Sequence, residues 1–140
     1  MIKFKYIFYI ILILSFSKVN GEITNFEKGK NLFNDKKYDL AKFKFEQDLV
    51  FNPKNENSYL YLAKIYNFKK DDNLEEKNLN TVILLNPKNE EAIFDLALLK
   101  IRKSNYEETK TLIKNFLKVC KKLCGQSTEL QNKLDTVLKK

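Results

Sequence analysis

Past residue 22, apolar residues recur every three or four positions along most of the chain, which is the signature of amphipathic helices. Tyr38, Ala41, Phe45 and Leu49 form one such stripe. Leu62, Ala63 and Tyr66 form a second, and Leu79, Val82 and Ile83 a third. Ile93, Leu96, Ala97 and Ile101 follow, then Tyr106, Thr109, Ile113, Phe116 and Leu117. A last stripe holds Leu130, Leu134, Val137 and Leu138. Polar breaks separate them at Asn34–Lys37, Lys69–Asp72 and Ser104–Asn105, while Pro53 and Pro87 stop two helices outright. The pattern predicts helices over Ile23–Asn34, Tyr38–Phe51, Asn57–Phe68, Leu74–Leu85, Glu91–Lys103, Tyr106–Val119 and Ser127–Lys139. The expected class is all-α.

The pentapeptide Asn-Pro-Lys-Asn-Glu occurs at Asn52–Glu56 and again at Asn86–Glu90. Repetition at a period of about 34 residues marks helix–turn–helix units that stack into a solenoid. The proline positions divide the chain into units at 22–55, 56–89 and 90–123. Residues 126–140 are expected as a capping helix, because a terminal unit needs a polar outer face. Ser127 is expected to cap its start.

Over residues 22–123 the chain resembles the tetratricopeptide (TPR) family. Gly29, Ala63 and Ala97 occupy the slot where two helices cross closely, each one repeat period from the last. Tyr38 and Tyr106 open second helices with an aromatic, Ala41 and Thr109 follow three positions on, and Pro53 and Pro87 close units. There are departures. Asp72 and Glu75 replace the aromatic and the small residue of the second unit, which predicts a loose or irregular helix start there. Asp48 also sits at a usually small position. Lys121 replaces a closing proline, so the sixth helix is expected to run on to Cys124, with Gly125 as a left-handed cap.

The resemblance implies a concave groove lined by the first helix of each unit. Carried over by position, the partner-binding residues are Lys30, Phe33, Tyr61, Lys64, Phe68, Phe94, Leu98 and Arg102. Apolar anchors at Tyr61, Phe68 and Phe94, with Lys64 and Arg102 pairing to acids, suit a peptide or helix. Phe94 and Leu98, like Phe26 and Leu60, are equally suited to packing between repeats. Some family members hold a C-terminal carboxylate in a clamp whose positions fall here on Phe26, Lys30, Tyr61, Glu91 and Asp95. Two of those are acids and would repel a carboxylate.

Catalysis finds little support. The chain has no histidine, which removes the commonest general base and metal ligand near neutrality, and only three glycines, too few for a phosphate-cradling loop. No catalytic residue, metal or cofactor is expected. Cys120 and Cys124 are a lone C-x3-C pair, short of a zinc ligand set. The favoured reading is two small core residues under the tail helix. A disulfide is the alternative, made awkward if both lie on one continuous helix. A redox or metal role ranks last.

The N-terminus reads as a secretory signal segment over residues 1–21. Lys3 and Lys5 precede the apolar run Tyr6–Leu14, and Ser15–Gly21 turns small and polar. An uncleaved inner-membrane anchor through residues 6–19 is the alternative, but a spanning helix needs about 20 apolar residues. The formal charge is +8, and removing residues 1–21 takes Lys3, Lys5 and Lys18 and no acid, leaving +5. Arg102 is the only arginine, and arginine is the usual reader of guanine and phosphate. Nucleic acid is therefore not an expected partner, and weak attraction to an anionic membrane stays open. These features point to an exported, non-enzymatic scaffold in the periplasm or cell envelope. It would bind a protein or peptide partner, as in an envelope or outer-membrane assembly complex. A membrane-anchored or self-assembling structural protein is the alternative.

Overall fold

The computed structural model describes residues 23–139. The expected signal segment, and the anchor through residues 6–19, lie outside the described residues. Seven α-helices occur among the described residues. They are α1 (Asn25–Asn34), α2 (Tyr38–Phe51), α3 (Glu56–Lys69), α4 (Asp72–Leu85), α5 (Glu90–Arg102), α6 (Tyr106–Val119) and α7 (Ser127–Leu138). A 3-10 turn at Cys124–Gln126 precedes α7. No helix among these is long and apolar enough to cross a membrane.

Local chemistry sets the helix ends. Thr24, Asn55, Asp71, Asn89 and Asn105 each accept a hydrogen bond from a first-turn N–H, opening α1, α3, α4, α5 and α6. Such caps are worth about 1 kcal/mol each. Within each hairpin the chain turns through one left-handed residue, Lys36 (φ 59°), Lys70 (φ 61°) or Ser104 (φ 58°). These three recur at the repeat period, and none is glycine. A side chain in that conformation costs about 1 kcal/mol or more.

The helices pair as hairpins and stack as the resemblance implies, with α7 laid against α5 and α6. The close-crossing slots are filled as expected. Ala63 and Ala97 are buried, and a Cβ on Gly29 would stand 2.8 Å from the Phe45 ring. Two cores result. One is aromatic, around Ala41, Phe45, Leu62 and Ile65, with Phe26, Phe33, Tyr38 and Tyr61 packed on it. The other is mainly aliphatic and runs from α3 to α7, including Leu79, Val82, Leu96, Leu99, Phe116, Leu130 and Leu134. Full burial of such side chains contributes about 1.5–3 kcal/mol each.

Several expectations are corrected. The start of α4 is neither loose nor irregular. Asp71 caps it, Asp72 is its first residue, and Glu75 is buried with its carboxylate accepting from Asn67 (2.9 Å) and Arg102 (2.6 Å). Asp48 is tolerated for the same reason. At 2% exposure it accepts hydrogen bonds from Asn52 (3.1 Å), Asn55 (2.6 Å) and Ser58 (2.6 Å). Leu117 and Leu138 turn to solvent rather than inward.

The largest departure is at the end of α6. It stops at Val119 instead of running on to Cys124, because Cys120 turns extended (φ −59°, ψ 142°). Backbone N–H groups of Lys121, Lys122 and Leu123 then donate to the Glu90 carboxylate at 2.8, 3.0 and 2.9 Å. Gly125 takes no left-handed cap; it lies in the 3-10 turn, and no described glycine has positive φ. Ser127 does not cap α7 but donates back to the Cys124 carbonyl (2.7 Å). Cys120 and Cys124 form a disulfide across a Cα separation of 5.2 Å, so they are not the buried thiols favoured above. The broken helix removes the geometric objection to that bond.

Candidate functional site: a groove along α3 and α5

A groove of about 670 Å³ lies between α3, α4 and α5, with Phe33 of α1 and Lys133 of α7 also on its wall. Phe33, Lys64, Phe68, Leu98 and Arg102 lie on its wall together, as their positions predicted. Phe68 is the most open of the apolar ones, at 55% exposure. Its ring stacks on Tyr38 with centroids 4.8 Å apart and meets Phe33 at 6.0 Å.

The other three expected residues sit elsewhere. Tyr61 is half-buried beneath the groove, enclosed by Phe26 (5.8 Å), Phe33 (5.0 Å) and Phe45 (5.0 Å). Its role is to hold the aromatic wall in place. Phe94, expected as an apolar anchor, is instead 9% exposed and packs on Phe116 at 5.9 Å. It faces the next helix of its own hairpin, a core position within its repeat. Lys30 lies off the groove wall, 3.9 Å from Glu27.

The cations of the wall are also not available in the way expected. Lys64 pairs with Glu91 at 2.6 Å and stands 5.1 Å over the Tyr61 ring. Arg102 bridges Asp72 (2.8 Å) and Glu75 (2.6 Å) of α4. Burial opposes the Arg102 charge, but these two carboxylates outweigh it and hold the guanidinium firmly protonated. Both cations are thus neutralised within the chain. Behind them, Lys100 is buried and tied to Glu76 and Glu108, each at 2.7 Å. Burial works against its charge, and the bonds to Glu108 and Glu76 more than compensate.

Residues outside the expected set complete the wall: Ala63, Asn67, Glu75, Leu79, Glu91, Asp95, Ile101 and Lys133. Asp95 stands out chemically. Burial pushes its carboxyl up to about 7, nearby Glu91 adds to this, and Lys64 partly opposes it. Glu75 carried one signal in the sequence, since it falls one repeat period after Ala41. A charge at a slot otherwise small implies a buried partner. Lys133 carried none, because only the folding back of α7 brings it to the groove. No group of three or more metal-ligating side chains occurs among the described residues.

No protein-family model and no curated protein matches the chain. Solved structures do. The first TPR of Spaghetti (RPAP3), bound to the HSP90 peptide SRMEEVD, is similar with a TM-score of 0.74 and 22% identity, over 83% of this chain and 91% of that one. The Sgt2 TPR domain from Aspergillus fumigatus is similar with a TM-score of 0.69 and 16% identity, over 83% and 80%. The fold is therefore that of a TPR solenoid.

Proposed function

We propose that the chain is a protein-interaction scaffold that takes an extended or helical peptide in the groove along α3 and α5. The observation that carries this is the groove itself: an open 670 Å³ channel with exposed Phe68 beside Leu98. Apolar anchors on a rigid helical wall fit peptide recognition by groove insertion. The peptide held by the RPAP3 domain supports the reading, since a domain of this fold there takes a peptide ligand. No step of chemistry is assigned to the groove.

The setting we propose is an exported one, in the periplasm or cell envelope. It rests on the basic, apolar, small order of residues 1–21 and on a disulfide that suits an oxidising compartment. Assembly of an envelope complex is the role that follows.

A photoreactive residue at Phe68, with a matched one at Lys77 on an exposed face of α4, tests the groove in cells. Mass spectrometry identifies what is captured, and a peptide from that partner is titrated into the purified protein. Capture from Phe68 alone, with peptide binding weakened at least tenfold by Leu98→Glu, is the expected result. Equal capture from both sites, or binding indifferent to Leu98→Glu, overturns the groove reading.

A further inference from the structure

Most charged groups on the groove wall already neutralise one another. Lys64 is held by Glu91, and Arg102 by Asp72 and Glu75. Lys133 lies 3.2 Å from Glu129 on its own helix. Asp95 differs. It lies on the wall one turn before Leu98, and among the described residues no hydrogen bond or ion pair reaches its carboxyl. Nor is that carboxyl sealed in, since no fully enclosed side-chain oxygen or nitrogen without a partner occurs among the described residues. A half-buried carboxyl facing an open groove is an incomplete pair, and completing it with a donor or cation is favourable.

We propose that the groove selects a basic peptide, in which a lysine or arginine seats on Asp95 while flanking apolar side chains rest on Leu98 and Phe68. This rests on the groove-binding reading above and names its ligand. The charges facing Asp95 agree with it. Glu91 shares its helix, Glu75 faces it from α4, and the neighbouring cations Lys64, Arg102 and Lys133 have acidic partners. An incoming carboxylate meets Asp95, Glu91 and Glu75 together. An incoming ammonium or guanidinium meets the one carboxyl that lacks a counter-charge, and displaces the proton that burial holds there. Like-charge juxtaposition against the acidic ligand supplies the discrimination.

The test uses the purified full chain and three dye-labelled nonapeptides, acetylated and amidated, with identical leucine and phenylalanine positions. They differ only in carrying two lysines, two glutamines or two glutamates. By fluorescence anisotropy at pH 8 the lysine peptide binds about tenfold more tightly than the glutamine peptide, and the glutamate peptide more weakly still. Asp95→Asn removes the lysine preference, and Glu91→Gln reduces it in part. Because the Asp95 carboxyl titrates at about 7 and a cation prefers it ionised, the lysine peptide tightens roughly tenfold from pH 6 to pH 8. Asp95→Asn flattens that dependence. Equal binding of the three peptides, or a lysine preference that survives Asp95→Asn, overturns the basic ligand and leaves the groove reading standing. Binding of none of them, with helicity intact by circular dichroism, overturns both.

Discussion

The α1–α2 hairpin and the α3–α4 hairpin share a backbone and differ in what fills it. In the first, the slots on the inner face of the second helix hold Ala41, Phe45 and Asp48. In the second, the same slots one repeat on hold Glu75, Leu79 and Val82, with Asn78 also buried. The first hairpin is closed by rings: Phe26, Phe33, Tyr38 and Phe45, with Tyr61 of α3, meet edge-on, tilted or stacked at 5.0–5.9 Å. The second is closed partly by charge, with Glu75 reaching Asn67 in its own hairpin and Arg102 in the next. A solenoid slot thus constrains space more tightly than chemistry. An acid enters a small residue's place when a neighbouring unit supplies its counter-charge, and the unit then depends on that neighbour.

The contrast predicts different failures. Phe45 is wholly buried against several rings, so Phe45→Ala costs about 4 kcal/mol in urea unfolding and loosens the first hairpin first. In the second hairpin Glu75→Ala copies the Ala41 solution but strands Asn67 and leaves Arg102 with Asp72 alone, at a cost of about 2 kcal/mol. Adding Arg102→Leu recovers part of it, because removing both partners of a pair is milder than removing one. A double variant that unfolds as easily as Glu75→Ala alone contradicts the cross-unit dependence. Back in the first hairpin, Gly29→Ala drives a Cβ into the Phe45 ring, and overpacking outweighs the helix-propensity gain by about 1 kcal/mol.

The hairpin turns serve as the control, because they are alike. Lys36→Gly, Lys70→Gly and Ser104→Gly each relieve a left-handed side chain and raise stability by about 0.5–1 kcal/mol, regardless of what fills the hairpin. Unequal gains in thermal unfolding tie turn strain to the packing instead. The smallest effect belongs to Glu90, whose carboxyl the N–H groups of Leu123 and Lys121 hold below its ordinary 4.5. A lowered folded value means its contribution is present above that ordinary value and is lost as pH falls through the folded one. Protection of the Lys121–Leu123 amides, taken relative to their intrinsic exchange, therefore falls as acid protonates that carboxyl, and Glu90→Gln removes the loss. Protection that is flat with pH rules out the carboxylate as the anchor of that loop.

Much of this was legible in the residues. Apolar spacing located all seven helices to within a residue or two, apart from the run-on expected at the end of α6, because a 3.6-residue period is a local property of the chain. The repeated pentapeptide and the small slots at Gly29, Ala63 and Ala97 carried the stacking. Five of the eight groove residues followed from position alone, since a repeat places equivalent side chains on one face. Phe94 did not, because helical spacing cannot distinguish a ring facing a groove from one facing the next helix. The occupied state of Lys64 and Arg102 did not either, as their acids come from other helices.

The helices, their period and the solenoid they build thus follow from the order of residues alone, as consequences of short-range sterics and periodic burial. Which charges meet was settled by the packed molecule. Packing carried Arg102 to Glu75 across 27 residues and Glu90 to the loop at Lys121–Leu123 across 31 to 33. It also broke α6 early enough for Cys120 and Cys124 to join, and left Asp95 on the groove without a partner among the described residues. Coulomb and hydrogen-bond energies depend on distances of a few ångströms between groups remote in the chain, and only packing sets those distances.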